Sequence, residues 1–284
     1  MKRLIINADE FGIARCVTAA VWQCLNEGVL TSATIVAGGL DFEHAASLVK
    51  STDVCGLHLS LTDFMPVSRK ERIRSLVRED GKRLWPLKRF LPRYFSGKIW
   101  IEDVRTELES QIVKCLDCGI RLTHIDGHSN LHMMPAVFKI VLELMKKYNI
   151  MKLRLPSEPL FNIDIKQPVQ YMIKCVVTLD AMFNKRHIPP GYVFPDHFVG
   201  HAQSARITED VMLGFLDRME DGATEIPIHP RNYDEAQIRE AFGADYPTDY
   251  FRKKDEFEKE ALLSDKVRRM VAEKKITLIS YKEL

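Results

Sequence analysis

The sequence predicts an α/β protein: a single-domain irregular (β/α) barrel of about seven parallel strands, with an inserted loop region at about 62–100. Three observations predict it. Short apolar runs alternate with helix-period segments at the pitch of β-α units. Chemistry-bearing residues follow several different apolar runs, which suits the strand ends of a barrel better than the single switch point of an open sheet. No linker, internal repeat or change of composition divides the 284 residues, so one domain spanning 1–284 is expected.

Residues 3–7 form a continuous apolar run, the pattern of a strand buried on both faces. Residues 14–27 place Val17, Ala20, Val21, Cys24 and Leu25 at helical spacing, and Gly28 ends the helix. A strand at 34–37, a helix at 41–50 and a strand at 54–59 follow. Residues 62–100 interrupt the rhythm with Pro66, Pro86, Pro92, many basic residues and several aromatics. They read as an insertion over one face, the kind of loop that closes over ligands.

The alternation resumes with a helix at 102–118, a strand at 121–127 and a helix at 136–148 opened by Pro135. A strand at 151–155 leads to Pro156 and Pro159. Residues 165–185 read as helical, 186–205 as irregular and 207–219 as helical. A strand at 224–229, a charged helix at 252–273 and a last strand at 276–279 complete the chain.

Hydrophobic residues make up 46% and charged residues 28%, which gives an ordinary core and an ordinary solvated surface. The net charge of +2 gives no electrostatic case for nucleic acid. The stretch from Lys82 to Arg93 is a local basic patch carrying Trp85 and Phe90, read either as a solvated loop or as a surface for an anionic ligand or membrane headgroups. Cys115 and Cys118 form a Cys-x-x-Cys, but they lie within a helical pattern and have no second pair, so a redox or zinc role is set aside. The N-terminus shows no signal-peptide pattern, and no window is long and apolar enough to span a bilayer. A soluble, cytoplasmic protein is expected. Nothing in the sequence reads on oligomeric state, which leaves a homodimer open.

The segment Thr123-His-Ile-Asp-Gly-His-Ser-Asn-Leu-His132 concentrates the chemistry. If 122–128 is a strand, His124, Asp126 and His128 share one face. Asp9 and Glu10 end the first apolar run. Neighbours on an extended chain face opposite ways, so a bend is needed to bring both to one site, and Phe11-Gly12 is the expected place for it. One carboxylate would then bind a metal while the other acts as general base; the alternative is an acidic start to the following helix.

His58 ends another apolar run, with Ser60 and Thr62 beyond it. Pro135 marks a helix start, so 128–134 is expected to be a loop. That leaves His132 open as a ligand, a support for one, or a residue at the start of the helix. His229, fixed by Pro230, suits a general acid. Arg154 either orients a carboxylate or oxyanion, or pairs with an acid such as Glu158. Asp196-His-Phe198 is a weaker candidate for a substrate cleft.

Four segments in this order carry a family resemblance: Asn7-Ala-Asp-Glu-Phe-Gly12, Gly56-Leu-His-Leu-Ser-Leu-Thr62, Thr123 to Met133, and Ile228-His-Pro230. Together with Arg154-Leu-Pro156 and Asp196-His-Phe198, they resemble the YdjC-like carbohydrate deacetylases. That family includes chitooligosaccharide deacetylases and hopanoid-biosynthesis deacetylases.

The resemblance implies an irregular β/α barrel and one divalent metal ion, magnesium or zinc foremost, held by a carboxylate and two histidines. It also implies hydrolysis of an N-acetyl group on an amino sugar, in an oligosaccharide or glycolipid, with release of acetate. By position, His58 and His128 would be the histidine ligands and Glu10 the carboxylate ligand. Asp9 would be the base, and His229, less so His132, would protonate the departing amine. Arg154, His132 and Asp126 would contact substrate. Trp85, Tyr94 and Trp100 are available to stack on sugar faces or a lipid tail. The family usually has two aspartates where this chain has Asp9 and Glu10, so the metal geometry is in question. The alternatives are a metal-dependent hydrolase of another amide or ester, and a catalytically silent carbohydrate-binding member.

Overall fold

A computed structural model describes residues 1–158, 168–243 and 255–284 of the chain. Its strands are β1 (Lys2–Phe11), β2 (Ser32–Ile35), β3 (Cys55–Leu59), β4 (Ile125–Gly127), β5 (His197–Phe198), β6 (Gly222–Ile228) and β7 (Thr277–Leu278). They form one parallel sheet in the order β4-β3-β2-β1-β6-β5, with β7 beside β1. β1 is buried from Leu4 to Phe11, as befits a strand with neighbours on both sides and helices outside.

The sheet curls towards closure. Ile125 N donates to Lys152 O at 2.9 Å and Arg154 N to Ile125 O at 2.9 Å, while Leu153 N donates to Val193 O at 3.0 Å. Single parallel bridges, Ile125 with Leu153 and Lys152 with Val193, extend the sheet from β4 to the chain that leads into β5. The result is the expected α/β fold, a parallel sheet wound into an irregular barrel. Residues 151–155 supply bridges rather than the expected strand, and part of the segment expected to be irregular, 197–198, supplies β5.

The helices among the described residues are α1 (Arg15–Glu27), α2 (Phe42–Val49), α3 (Leu87–Phe95), α4 (Ile101–Asp117), α5 (Pro135–Lys147), α6 (Pro168–Lys185), α7 (Glu209–Asp217), α8 (Glu235–Phe242), α9 (Asp255–Leu263) and α10 (Asp265–Glu273). The expected starts at 165 and 252 lie outside the described residues. The charged helix expected at 252–273 is interrupted at Ser264, whose hydroxyl accepts from Lys266 N at 3.1 Å and Val267 N at 3.4 Å and so starts α10 afresh. α8 was not anticipated; Asp234 caps it by accepting from Gln237 N at 3.1 Å. No helix among the described residues is long and apolar enough to cross a membrane.

The insertion is folded. Phe64, Ile73, Leu76, Leu84 and Phe90 are buried, Val77 and Leu84 form an antiparallel bridge, and α3 continues through Pro92. Proline inside a helix removes a hydrogen bond, so a local reading disfavours a helix here. Packing of Phe90 decides otherwise.

Candidate active site

A β-bulge in β1 positions the site. Ala8 pairs with Ala33 and Phe11 with Ile35, so β1 advances three residues while β2 advances two. The chain turns at Glu10, with φ +65°, and again at the expected Phe11-Gly12 bend, where Gly12 has φ +87°. Both Asp9 and Glu10 consequently line one cavity of about 440 Å³, together with His58, His128, Arg154 and His229. Left-handed backbone recurs around it, at Asp63 (φ +70°), Ser129 (φ +52°) and Asn130 (φ +53°). Such conformations are costly for residues other than glycine and persist where packing enforces them.

Beneath the cavity lies a buried charge network. Arg154 Nη1 donates to Asp9 Oδ2 at 2.6 Å and Nη2 to Asp9 Oδ1 at 2.7 Å. The same guanidinium reaches Asp126 Oδ2 at 3.0 Å, and its Nε donates to Glu225 Oε1 at 2.8 Å. Burial alone would raise the Asp9 carboxyl, but the Arg154 charge prevails and holds it below the usual range. Glu225 has only a share of that cation. Burial outweighs Arg154 there and raises its carboxyl to about 6. Tyr281 Oη donates to Glu225 Oε2 at 2.6 Å.

His58 is oriented from behind. Its Nδ1 donates to Asp126 Oδ1 at 2.8 Å, and Asp126 also accepts from Thr34 Oγ1 at 3.0 Å. This leaves His58 Nε2 as the nitrogen available to the cavity. Burial works against a charged His58, yet Asp126 outweighs it and raises the imidazole above its ordinary value.

His128 lies between two carboxylates, Nδ1 3.5 Å from Glu10 Oε1 and Nε2 3.5 Å from Asp63 Oδ2. Arg231 Nη2 donates to Glu10 Oε2 at 3.2 Å. Burial raises the Glu10 carboxyl, but Arg231 and the surrounding histidines more than reverse this and lower it.

His229 follows β6, with Nε2 3.9 Å from Asp9 Oδ2 and Nδ1 3.7 Å from Glu258 Oε2. Burial lowers a buried imidazole, but Glu258, Asp9 and Glu10 together raise this one.

Two residues expected to contact substrate are elsewhere. Asp126 is fully buried, its oxygens taken by His58, Thr34 and Arg154. His132 is also buried, its Nε2 donating to Arg154 O at 3.3 Å, and burial lowers it to about 4. Arg154 does line the cavity, but carboxylates occupy its donors. His124 shares the inward face with Asp126 but lies one layer deeper, stacked on Tyr281 with centroids 3.6 Å apart. Burial lowers it to about 3.

Of the weaker candidates, Phe198 lines the cavity, whereas Asp196 accepts from Ala223 N at 2.8 Å on the outside. Sequence reasoning missed Asp63, Arg231, His201 and Glu258. The first two follow recognised histidine segments closely enough for proximity to have flagged them.

Donor chemistry for a divalent ion is present. Asp9, His58 and Asp126 each offer a ligand atom, all within 4.8 Å of one another. In that trio the Asp9 oxygens also serve Arg154, and His58 Nδ1 is committed to Asp126. Towards the cavity, His58, His128 and Glu10 also line the wall with two imidazoles and a carboxylate, a donor set whose chemistry suits zinc.

A family model described as "YdjC-like protein" matches residues 3–273. The carbohydrate deacetylase of Brevibacillus brevis is 30% identical over 285 residues, 99% of each chain. A chitooligosaccharide deacetylase of Escherichia fergusonii is 31% identical over 166 residues, 57% of this chain and 62% of that one. The crystal structure of a candidate cellobiose-phosphate cleavage protein from Enterococcus faecalis V583 has a TM-score of 0.74 at 27% identity, covering 99% of this chain and 98% of that one.

Proposed function

This chain belongs to the YdjC-like family, and from that premise we propose that it is a metal-dependent carbohydrate deacetylase that removes the N-acetyl group of an amino sugar and releases acetate. The observation that carries the metal site is the pairing of each candidate histidine ligand with a carboxylate behind it. Asp126 holds His58 Nδ1, and Asp63 faces His128 Nε2 while Nδ1 of that ring faces Glu10. Carboxylates placed behind ligating imidazoles fix the tautomer and turn the other nitrogen to the ion. Glu10, His58 and His128 would hold it. An ion bound there supplies Lewis-acid polarisation of the acetamide carbonyl and acidifies a water.

The remaining work falls to the chain's own residues. Arg154 keeps Asp9 ionised and fixes its plane, so that the carboxylate is ready to accept a proton from the attacking water. Its low basicity makes Asp9 a weak base by itself, which an acidified water compensates. His229, whose imidazole Glu258, Asp9 and Glu10 hold above its ordinary value, has Nε2 beside Asp9 and donates its proton to the leaving nitrogen. Departure as a neutral amine is what makes C–N cleavage accessible. Arg154 and Asp126 act as positioning residues.

The test is acetate release from a panel of N-acetylated sugars by metal-supplemented protein, comparing wild type with Asp9→Asn and His128→Ala. Release abolished by both substitutions is expected. A tightly bound metal without release from any sugar would instead point to another acyl substrate or a silent binder.

A further inference from the structure

α6 is amphipathic in the wrong direction for a helix on a protein surface. Its inward side carries Lys174, Thr178 and Asn184, each nearly fully buried, with Val177 and Ala181. Lys174 Nζ lies 3.5 Å from Glu158 Oε2, and Asn184 Nδ2 donates to Met133 O at 2.6 Å. Its outward side carries Met172, Ile173, Val176, Leu179, Met182 and Phe183, between 41% and 60% exposed. Met172, Val176, Leu179 and Phe183 follow the i, i+4, i+7, i+11 spacing of a single stripe. Contiguous exposed apolar surface of this kind marks a contact site.

Two further observations say what covers it. Beside α6 lies α3, for Leu87 of α3 and Ile173 of α6 line the same cavity. α3 presents Lys88, Arg89 and Arg93 around Trp85, with the Arg93 guanidinium 4.4 Å from the indole centroid, and the same hollow continues past Lys70, Arg74 and Arg78, six cations against the two carboxylates Glu71 and Glu79. Phe95 and Trp100 follow at 78% and 58% exposure. An apolar helical stripe flanked by cations and exposed aromatic rings has the composition of an interfacial membrane-binding surface.

We propose that the outward face of α6 and the basic, aromatic face of α3 dock the protein on an anionic lipid surface. The cavity mouth, lined by Leu87 and Ile173, then opens at the membrane, where a lipid-linked amino sugar would present its head group. The identity of that substrate rests on the proposed deacetylase function; the docking does not.

Sedimentation of the full chain with phosphatidylcholine vesicles, with and without phosphatidylglycerol, tests this. Binding that requires phosphatidylglycerol and weakens with added salt is expected. Val176→Glu/Leu179→Glu should weaken it at least tenfold while leaving the melting temperature and acetate release from a short water-soluble substrate unchanged. Lys88→Glu/Arg89→Glu, on the other helix, should remove the phosphatidylglycerol dependence, and it carries the test should the α6 variant fail to fold.

Wild type that binds neither vesicle overturns the proposal. So does binding indifferent to both variants, or a concentration-dependent dimer abolished by the α6 variant, which would make this face a self-association surface. Vesicle binding is read without turnover, so a failed deacetylase assay and a failed docking assay remain separate results.

Discussion

Arg154 and Asp9 meet edge to edge, two parallel hydrogen bonds of 2.6 and 2.7 Å joining the fork of one to both oxygens of the other. A residue of the central strand β1 and one from the segment beside the edge strand β4 are thereby fixed in one plane directly under the cavity. Removing one partner of such a buried pair leaves uncompensated charge, here three carboxylates without their cation. Arg154→Ala should destabilise the fold by about 3–5 kcal/mol. Arg154→Lys should recover only part of this, since an ammonium cannot bridge both oxygens. Denaturant melts of the two variants measure it.

Glu225 gives a pH signature. Its folded-state carboxyl is raised from 4.5 to about 6, so between those values the folded protein holds a proton that the unfolded chain has lost. Stability contributed by this group is complete below pH 4.5 and falls as pH rises through 6, by about 2 kcal/mol in all. Glu225→Gln should flatten that slope relative to wild type. Thermal melts across pH 4.5 to 7 show whether it does.

Metal binding should depend on the two imidazoles and their supports. His58→Ala and His128→Ala should each abolish tight binding of a divalent ion. Asp126→Asn and Asp63→Asn, which leave the donors in place but loosen their orientation, should weaken it by about 10–100-fold. Calorimetric titration with zinc and with magnesium checks all four.

At position 10 the structure predicts tolerance. Glu10 adopts φ +65°, a conformation in which aspartate is more at home than glutamate. Glu10→Asp should raise stability slightly and keep the metal-binding carboxylate, whereas Glu10→Gln should lose metal affinity. Melting temperature and metal titration together separate the two effects.

Gly56→Ala should be damaging although Gly56 carries no chemistry. A Cβ there would lie 2.4 Å from His124 Cε1 and 2.5 Å from Nδ1, and that ring is held by its stack on Tyr281. Overpacking of this kind costs about 1–3 kcal/mol. The substitution should lower the melting temperature without changing the metal stoichiometry.

Much of this architecture was readable from the chain because polar residues at the ends of apolar runs are conspicuous. His58, Asp126, His128 and His229 stood out in that way, and the structure gathers all four around Asp9 and Arg154. What escaped notice depends on contacts distant in sequence. The segments that carry the sheet from β4 to β5 pair through single bridges, too short to impose a period. Asp63 and Arg231 directly follow the histidine segments that end at Thr62 and Pro230, and that adjacency was the one signal the chain offered for them. In α6 the helical period was visible, but a period cannot say which side faces inward, and there the buried side is the more polar one. Asp126 shares a strand face with His128, which says nothing about depth within the barrel, and His132 falls in a stretch expected to be a loop, where no period fixes a direction.

The bulge at Glu10 has a bearing on how this protein can be altered. One surplus residue rotates the chain so that two successive acids look the same way, and the site therefore depends on a count as much as on identities. Only Asp9 and Glu10 lie between Ala8 and Phe11, so excising one of them to restore an unbroken ladder with β2 would remove an acid outright. An alteration that tidies the sheet would dismantle the site, and the reverse experiment, inserting one residue into the matching strand of an inert barrel, is the shortest route to building such an acid pair anew.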